Sequence, residues 1–421
     1  MLNHQLNNSL GVNLAGHITG DFGLAEAARG TLRAMEAANI PVAVTDLKVG
    51  GQPNSDSTYT DFSEDNPYRI NIIQTNPNWV EQILAGYFPG IGSEYFKGKY
   101  NIGVWLWELP AFPDEWQWAF DLFDEIWTTS NFCAEAFAAV SRVPVIKIPV
   151  SLAFPQPSLT RTELKLPEDK FIFLFMFDFG SSFERKNPFA TIEAFKQAFG
   201  QANEDVLLVL KFANSHYFPE KREQLKELTE GWPSIKFIDG HLKKEEIHGL
   251  VNSCDCYVSL HRAEGFGLTM SEAMYYGKPV IATAYSSNME FMNVGNSYPV
   301  KYELVTTTED YGAYPKGSVW AEPNSDHAAS LMKYVFQNYE EAQQVGTQSA
   351  KEIKSLLSPR TVGKKIRNRL EFILNTSAAS QLSSQYLSLQ AERDWLASQT
   401  QAWKQTALKM QTELKHLQFQ R

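Results

Sequence analysis

The chain has 421 residues, 43% apolar and 20% charged, with a formal net charge of −10. That length exceeds one ordinary core and suits two domains, and the composition is that of a globular protein. The acidic balance excludes a nucleic-acid binder, because a phosphate backbone rewards a basic face.

Charge is uneven. Residues 1–150 hold 8 Lys and Arg against 17 Asp and Glu, while the remainder is near balance. An acidic first half is ill suited to gripping anionic lipid or polyphosphate through a basic patch. The N-terminus, MLNHQLNNSLGVNLAGH, has neither a basic n-region nor an apolar h-region. A cytoplasmic protein is therefore expected, with peripheral attachment at the inner membrane face as the alternative. Three cysteines make no disulfide framework; Cys254 and Cys256 straddle Asp255 within an apparent strand, which is not a zinc spacing.

The first half alternates strand and helix patterns. GVNLAG (11–16) reads as a buried strand, LAEAARGTLRAMEAAN (24–39) as an amphipathic helix and IPVAVTD (40–46) as the next strand. A loop rich in Gly, Asp, Ser and Asn fills 47–68. Strands follow at RINIIQ (69–74), YNIGVWLWE (100–108), EIWTTS (125–130) and VPVIKIPV (143–150). Such alternation predicts a parallel sheet with helices on both faces over 1–150. Six of the ten tryptophans lie here. Trp105 and Trp107 share one strand face, where they either pack in the core or, if that face is open, stack on a ligand.

Residues 151–169, with three prolines and no periodicity, read as a linker. Alternation restarts over 170–355: strands FIFLFMFD (171–178), DVLLVLKF (205–212), IKFID (235–239), DCYVSL (255–260) and PVIAT (279–283), with helices at 188–199 and near 219–230 and 243–253. Two doubly wound domains in tandem place the carboxyl ends of both sheets on one cleft. Residues 356–377 form a further helix. In the tail, 378–421, Leu382, Leu389, Leu396, Trp403, Met410 and Leu417 occupy the d positions of a heptad seam. The expectation is a coiled-coil extension that makes the protein a homo-oligomer through residues 380–421, docking elsewhere being the alternative.

Two turns carry chemistry. In HRAEGFGLTMSEAMYYGKPVIAT (261–283), a strand ends, Gly265 and Gly267 turn the chain, and a helix opens near Thr269. Free N–H groups at such an opening seat an anion. Glu272 has two readings: the N3 partner of Thr269 in a capping box, or a ligand to a bound molecule. Glu264 has no capping duty and sits where a ligand hydroxyl would be bound. In FDFGSSFERKNPFATIEAF (177–195), Arg185 and Lys186 precede a helix opening at Asn187-Pro188. They are either a solvated pair or a clamp for a diphosphate that needs no metal.

These segments, with TTSNFCAEAF and WELPAFPDEW, resemble the retaining GT-B glycosyltransferases of family 4 in order and spacing. The resemblance spans roughly 11–370, and its most specific element is the pair Glu264 and Glu272 eight residues apart, with the intervening glycines. It implies a GT-B fold and a nucleotide-diphosphate sugar as donor. By position, Glu272 would hold the ribose and Glu264 the sugar hydroxyls. The amides of Gly265, Phe266, Gly267, Leu268 and Thr269 would line sugar and phosphates, with Arg185 and Lys186 on the diphosphate. His241 falls where the nucleobase is bracketed, and Gly20 and Gly23 lie in the Gly-rich loop GHITGDFG that approaches the phosphates. The 356–377 helix would cross back to the first domain.

Two departures stand out. An additional Arg that many relatives carry is replaced by Gly180-Ser181-Ser182, and a cleft-edge His by Glu108 on the acceptor side, where Trp105 and Trp107 would also lie. The implied activity is retaining, metal-independent and cofactor-free transfer of a hexose to a saccharide or glycoconjugate acceptor, as in polysaccharide biosynthesis. Its course would be same-face substitution with the leaving phosphate taking the acceptor proton. The rivals are a GT-B sugar-nucleotide epimerase, a phosphorylase, and a noncatalytic coiled-coil scaffold keeping the fold.

Overall fold

A computed structural model describes residues 10–50 and 53–376, with two isolated positions at 390 and 393. The heptad seam expected over 380–421 lies outside the described residues, those two positions apart. The chain divides into two compact units, Met1–Ile366 and Arg367–Arg421. Both sheets lie in the first unit.

The first sheet has six parallel strands: β1 (Val12–Gly16), β2 (Val42–Asp46), β3 (Ile70–Gln74), β4 (Tyr100–Val104), β5 (Glu125–Thr128) and β6 (Val145–Lys147), in the order β2-β1-β3-β4-β5-β6. Its strands are near-continuous apolar runs because helices cover both faces. One polar row interrupts them. Asn13, Asn71 and Asn101 stand in register on β1, β3 and β4, each Nδ2 donating to the next Oδ1 at 2.8 Å, so the buried amides satisfy one another.

Strand β4 stops at Val104, four residues earlier than the sequence pattern implies, and WLWEL leaves the sheet. Trp105 and Trp107 are 0% and 2% exposed there. Trp105 lies parallel to Phe112 and edge-on to Phe123 and Phe137, and Trp107 packs on Trp116 and donates Nε1–H to Ala111 O at 2.7 Å. Burial of these large rings holds the segment rigid. The acceptor-side assignment of both tryptophans is thus corrected: neither presents a face to a ligand.

The second sheet contains β7 (Phe171–Asp178), β8 (Val206–Ala213), β9 (Ile235–Asp239), β10 (Cys256–Ser259), β11 (Val280–Thr283) and β12 (Tyr298–Val300). Its order is β12-β11-β10-β7-β8-β9, all parallel. Chain progression runs outward from β7 to β9 and then resumes on the other side at β10. The carboxyl ends of β7 and β10 therefore flank the switch point, where open α/β sheets form their ligand crevice. An antiparallel hairpin unforeseen from sequence, β13 (Tyr302–Thr306) and β14 (Val319–Pro323), follows β12 outside both sheets.

The stretch 151–169 carries no strand or helix. A helix spans 359–376, and a Cβ on Gly363 would lie 3.0 Å from Ala38 Cβ and collide with Ala34 O. This helix starts against the first domain's helix Gly23–Ala37, at a backbone separation only glycine permits. Among the described residues no helix is long and apolar enough to cross a membrane.

Candidate active site

The switch point assembles the site. The turn after β7 carries Arg185 and Lys186 in the single helical turn Phe183–Lys186, bracketed by Ser182 and Asn187 at φ 65° and 53°. Non-glycine residues in left-handed backbone cost about 1 kcal/mol or more each, and such strain gathers where a ligand is held. Asn187 then caps helix Pro188–Phe199, its side chain accepting from Ala190 N. The turn after β10 carries Glu264, and Arg262 N donates to Arg185 O at 2.8 Å, tying the two turns together.

Between them stands a buried ionic cluster. Lys186 Nζ lies 2.5 Å and Arg185 Nη1 3.4 Å from Glu264 Oε1. Glu264 is 8% exposed and Arg185 4%. Burial alone would raise the Glu264 carboxyl, but the charges of Lys186 and Arg185 outweigh it and hold it at about 2. Burial lowers the Lys186 ammonium, and Glu264 opposes that shift. Arg185 also donates to the carbonyls of Ala263 and Ser181, each at 2.8 Å. Its buried Nε–H has no partner among the described residues, nor have Ser182 Oγ and Asn187 Nδ2 in the same turn. Buried donors are seldom left open in a finished structure. Here three of them fall in one turn.

The first domain closes over this cluster. Glu108 Oε1 lies 3.9 Å from Arg185 Nη2. Thr129 Oγ1 donates to Gly265 O at 2.9 Å, and Ser130 Oγ meets Ser287 Oγ at 2.7 Å. Gly265 lies against Leu106, Trp107 O and Glu108 of the first domain. Gly267 alone of the two glycines adopts positive φ, 95°, and it caps helix Leu268–Tyr275. Gly23, first residue of its helix, faces Leu268, while Gly20 O accepts from the buried Arg29. Both helix N-termini thus converge on one edge.

The capping-box reading of Glu272 fails. The helix begins one residue earlier than expected, Gly267 is its cap, and no side chain caps it. Glu272 instead lies on the helix's inner side, accepting from His248 Nδ1 at 2.6 Å. Phe266 packs on Phe291 in the core, leaving only its backbone for a ligand. His241 is exposed after β9, with Nε2 3.3 Å from Asn214 Oδ1, and touches none of the other predicted groups. Among the described residues no group of three or more His, Cys, Asp or Glu stands close enough to hold a metal ion.

Sequence reading missed His248, 24 positions from Glu272 on another helix, and Tyr314 of the hairpin, whose hydroxyl donates to Glu108 Oε2 at 3.1 Å. His248 gave no local signal. The hairpin did: the β-rich runs YELVT and VWAEP flank a Gly- and Pro-containing turn.

Two facing doubly wound domains with the ligand edge between them define the GT-B fold, and solved structures bear this out. Sucrose-phosphate synthase from Thermosynechococcus elongatus aligns over 87% of this chain and 100% of its own, with a TM-score of 0.62 at 16% identity. HepE from Anabaena, solved with UDP and glucose, aligns over 86% and 100%, with 0.60 at 15%. A glycosyltransferase from Rickettsia africae aligns over 87% and 99%, with 0.60 at 15%. Residues 158–352, which contain both site turns, match the family model of glycosyl transferases group 1. No curated relative matches the sequence.

Proposed function

We propose that the protein is a retaining glycosyltransferase that moves a hexose from a nucleotide-diphosphate sugar to a saccharide or glycoconjugate acceptor. The observation that carries this reading is the cation pair Arg185 and Lys186, buried at the switch point beside Glu264 and an open helix N-terminus. Breaking a sugar–phosphate bond leaves negative charge on the departing diphosphate. Fixed cations in a dry site stabilise that charge without reorganising, an effect worth several kcal/mol. The pair fills the role a divalent cation would otherwise take, so transfer is metal-independent. Glu264, kept ionised, accepts hydrogen bonds from sugar hydroxyls, and Glu272, oriented by His248, accepts them from the ribose. The resemblance to the family 4 enzymes supports same-face substitution, the leaving phosphate taking the acceptor proton, and no carboxylate is assigned as nucleophile.

The match to group 1 glycosyl transferases and the UDP and glucose bound by HepE support a sugar nucleotide as donor, UDP-linked in the first instance. Incubating the protein with a panel of nucleotide sugars, followed by mass spectrometry, tests the reading. Release of free nucleoside diphosphate, unaffected by EDTA, is expected. Return of an epimerised donor favours the epimerase, and an untouched panel the noncatalytic scaffold.

The heptad spacing of the tail supports a homo-oligomer assembled through residues 380–421. Removing residues 378–421 is expected to give a monomer by light scattering and leave donor hydrolysis intact; a full-length protein already monomeric at micromolar concentration refutes the assembly.

A further inference from the structure

The hairpin β13–β14 is fastened to both site turns through one residue. Arg262 donates Nε–H to Glu322 Oε2 at 2.7 Å and Nη1–H to Glu184 O at 2.7 Å, accepts at its carbonyl from Ala321 N, and lies over the Trp320 ring. Tyr311 stacks on Trp320 and stiffens the hairpin. Its turn delivers Tyr314, 7% exposed, into the ionic cluster, with the ring 5.5 Å from Trp107 and 5.9 Å from the Arg185 guanidinium.

The cluster holds two cations, Arg185 and Lys186, and two carboxylates, Glu108 and Glu264. It is charge-balanced as it stands. A diphosphate needs the cations, so its arrival must release carboxylates that are largely out of water. A buried carboxylate without a donor is costly. Glu264 would find sugar hydroxyls. Glu108 needs a donor that does not compete for phosphate, and a neutral phenol is such a donor.

On that basis, and resting on the donor-site reading above, we propose that Tyr314 is a positioning residue for the diphosphate clamp: its hydroxyl holds Glu108 and so frees Arg185 to turn to the leaving phosphates. The hydroxyl acts through Glu108, and the ring keeps the guanidinium dry.

The test is titration calorimetry on the full-length wild type, Tyr314→Phe, Glu108→Gln and the double variant. Each is titrated with whichever of UDP, GDP, ADP and dTDP the wild type binds, and with the matching monophosphate. Tyr314→Phe keeps the ring, and its diphosphate affinity is expected to fall about tenfold, the usual weight of one hydrogen bond to a charged group. Monophosphate affinity should not change. Removing the carboxylate charge in the double variant should restore diphosphate binding to within about threefold of the wild type. Wild-type affinity in Tyr314→Phe, an equal loss with the monophosphate, or no rescue in the double variant overturns the inference. A wild type that binds none of the diphosphates instead overturns the donor-site reading, and the inference falls with it.

Discussion

Each domain buries an arginine beside the first strand-to-helix turn of its sheet, and the two are used differently. Arg29, 1% exposed, is saturated: Nη1 donates to the carbonyls of Ile18 and Gly20, Nε and Nη2 meet Glu26, and Asp56 lies 3.4 Å away. It fixes the Gly-rich loop and has nothing left to give. Arg185, equally buried, keeps an unpartnered Nε–H and stands next to Lys186 in a strained turn. Both are paired cations, so burial and pairing alone do not distinguish them; the adjacent Lys186 and the open Nε–H of Arg185 do. Under the proposed function the first arginine holds its loop and the second serves the diphosphate.

Three substitutions break or sharpen that contrast. The largest effect is expected from Lys186→Ala, with turnover of the nucleotide-sugar donor falling by about 10²–10³ because a charge aimed at the leaving group is lost. Its stability should fall less than that of Arg29→Ala, because Arg185 still faces Glu264, and full activity at limiting and saturating donor would refute the clamp. Arg29→Ala should do the reverse. It strips the carbonyls of Ile18 and Gly20 of their buried donor and removes one of the cations facing Glu26 and Asp56, which keep Lys244, and the unfolding free energy in urea is expected to fall by about 3 kcal/mol. A stability loss no larger than that of Lys186→Ala would erase the distinction.

The smallest effect is acid sensitivity. Glu264 is held at about 2, below the ordinary carboxylate value. Its stabilising contribution is therefore complete above that ordinary value, near about 4.3, and drains away as pH falls toward about 2. The stability difference between wild type and Glu264→Gln should shrink across that window, and a difference constant from pH 5 to 2 would contradict the assignment.

The strands and the Arg185–Lys186 turn were legible in the sequence, but not the use made of Arg29. Apolar runs such as FIFLFMFD and the breakers around them mark the strands, and Gly267 marks the turn it makes. What periodicity does not carry is pairing order. Only the placement of β10 beside β7 brings Glu264 to Lys186 across 78 positions. Glu272 illustrates the opposite failure. Its local signal, Thr269 three residues before it, was a sound capping pattern, yet tertiary pairing with His248 and a helix opening at Gly267 overrode it. Trp105 and Trp107 were ambiguous for the same reason. Whether a strand face is open depends on where the strand stops, and β4 stops before either of them.

A structure of the protein soaked with UDP tests the central claim most directly. The account predicts the diphosphate within hydrogen-bond reach of Arg185 and Lys186, the contact between Lys186 and Glu264 broken, and Arg29 unmoved. A diphosphate seated on the loop at residues 17–22 with the Lys186–Glu264 pair intact would contradict it.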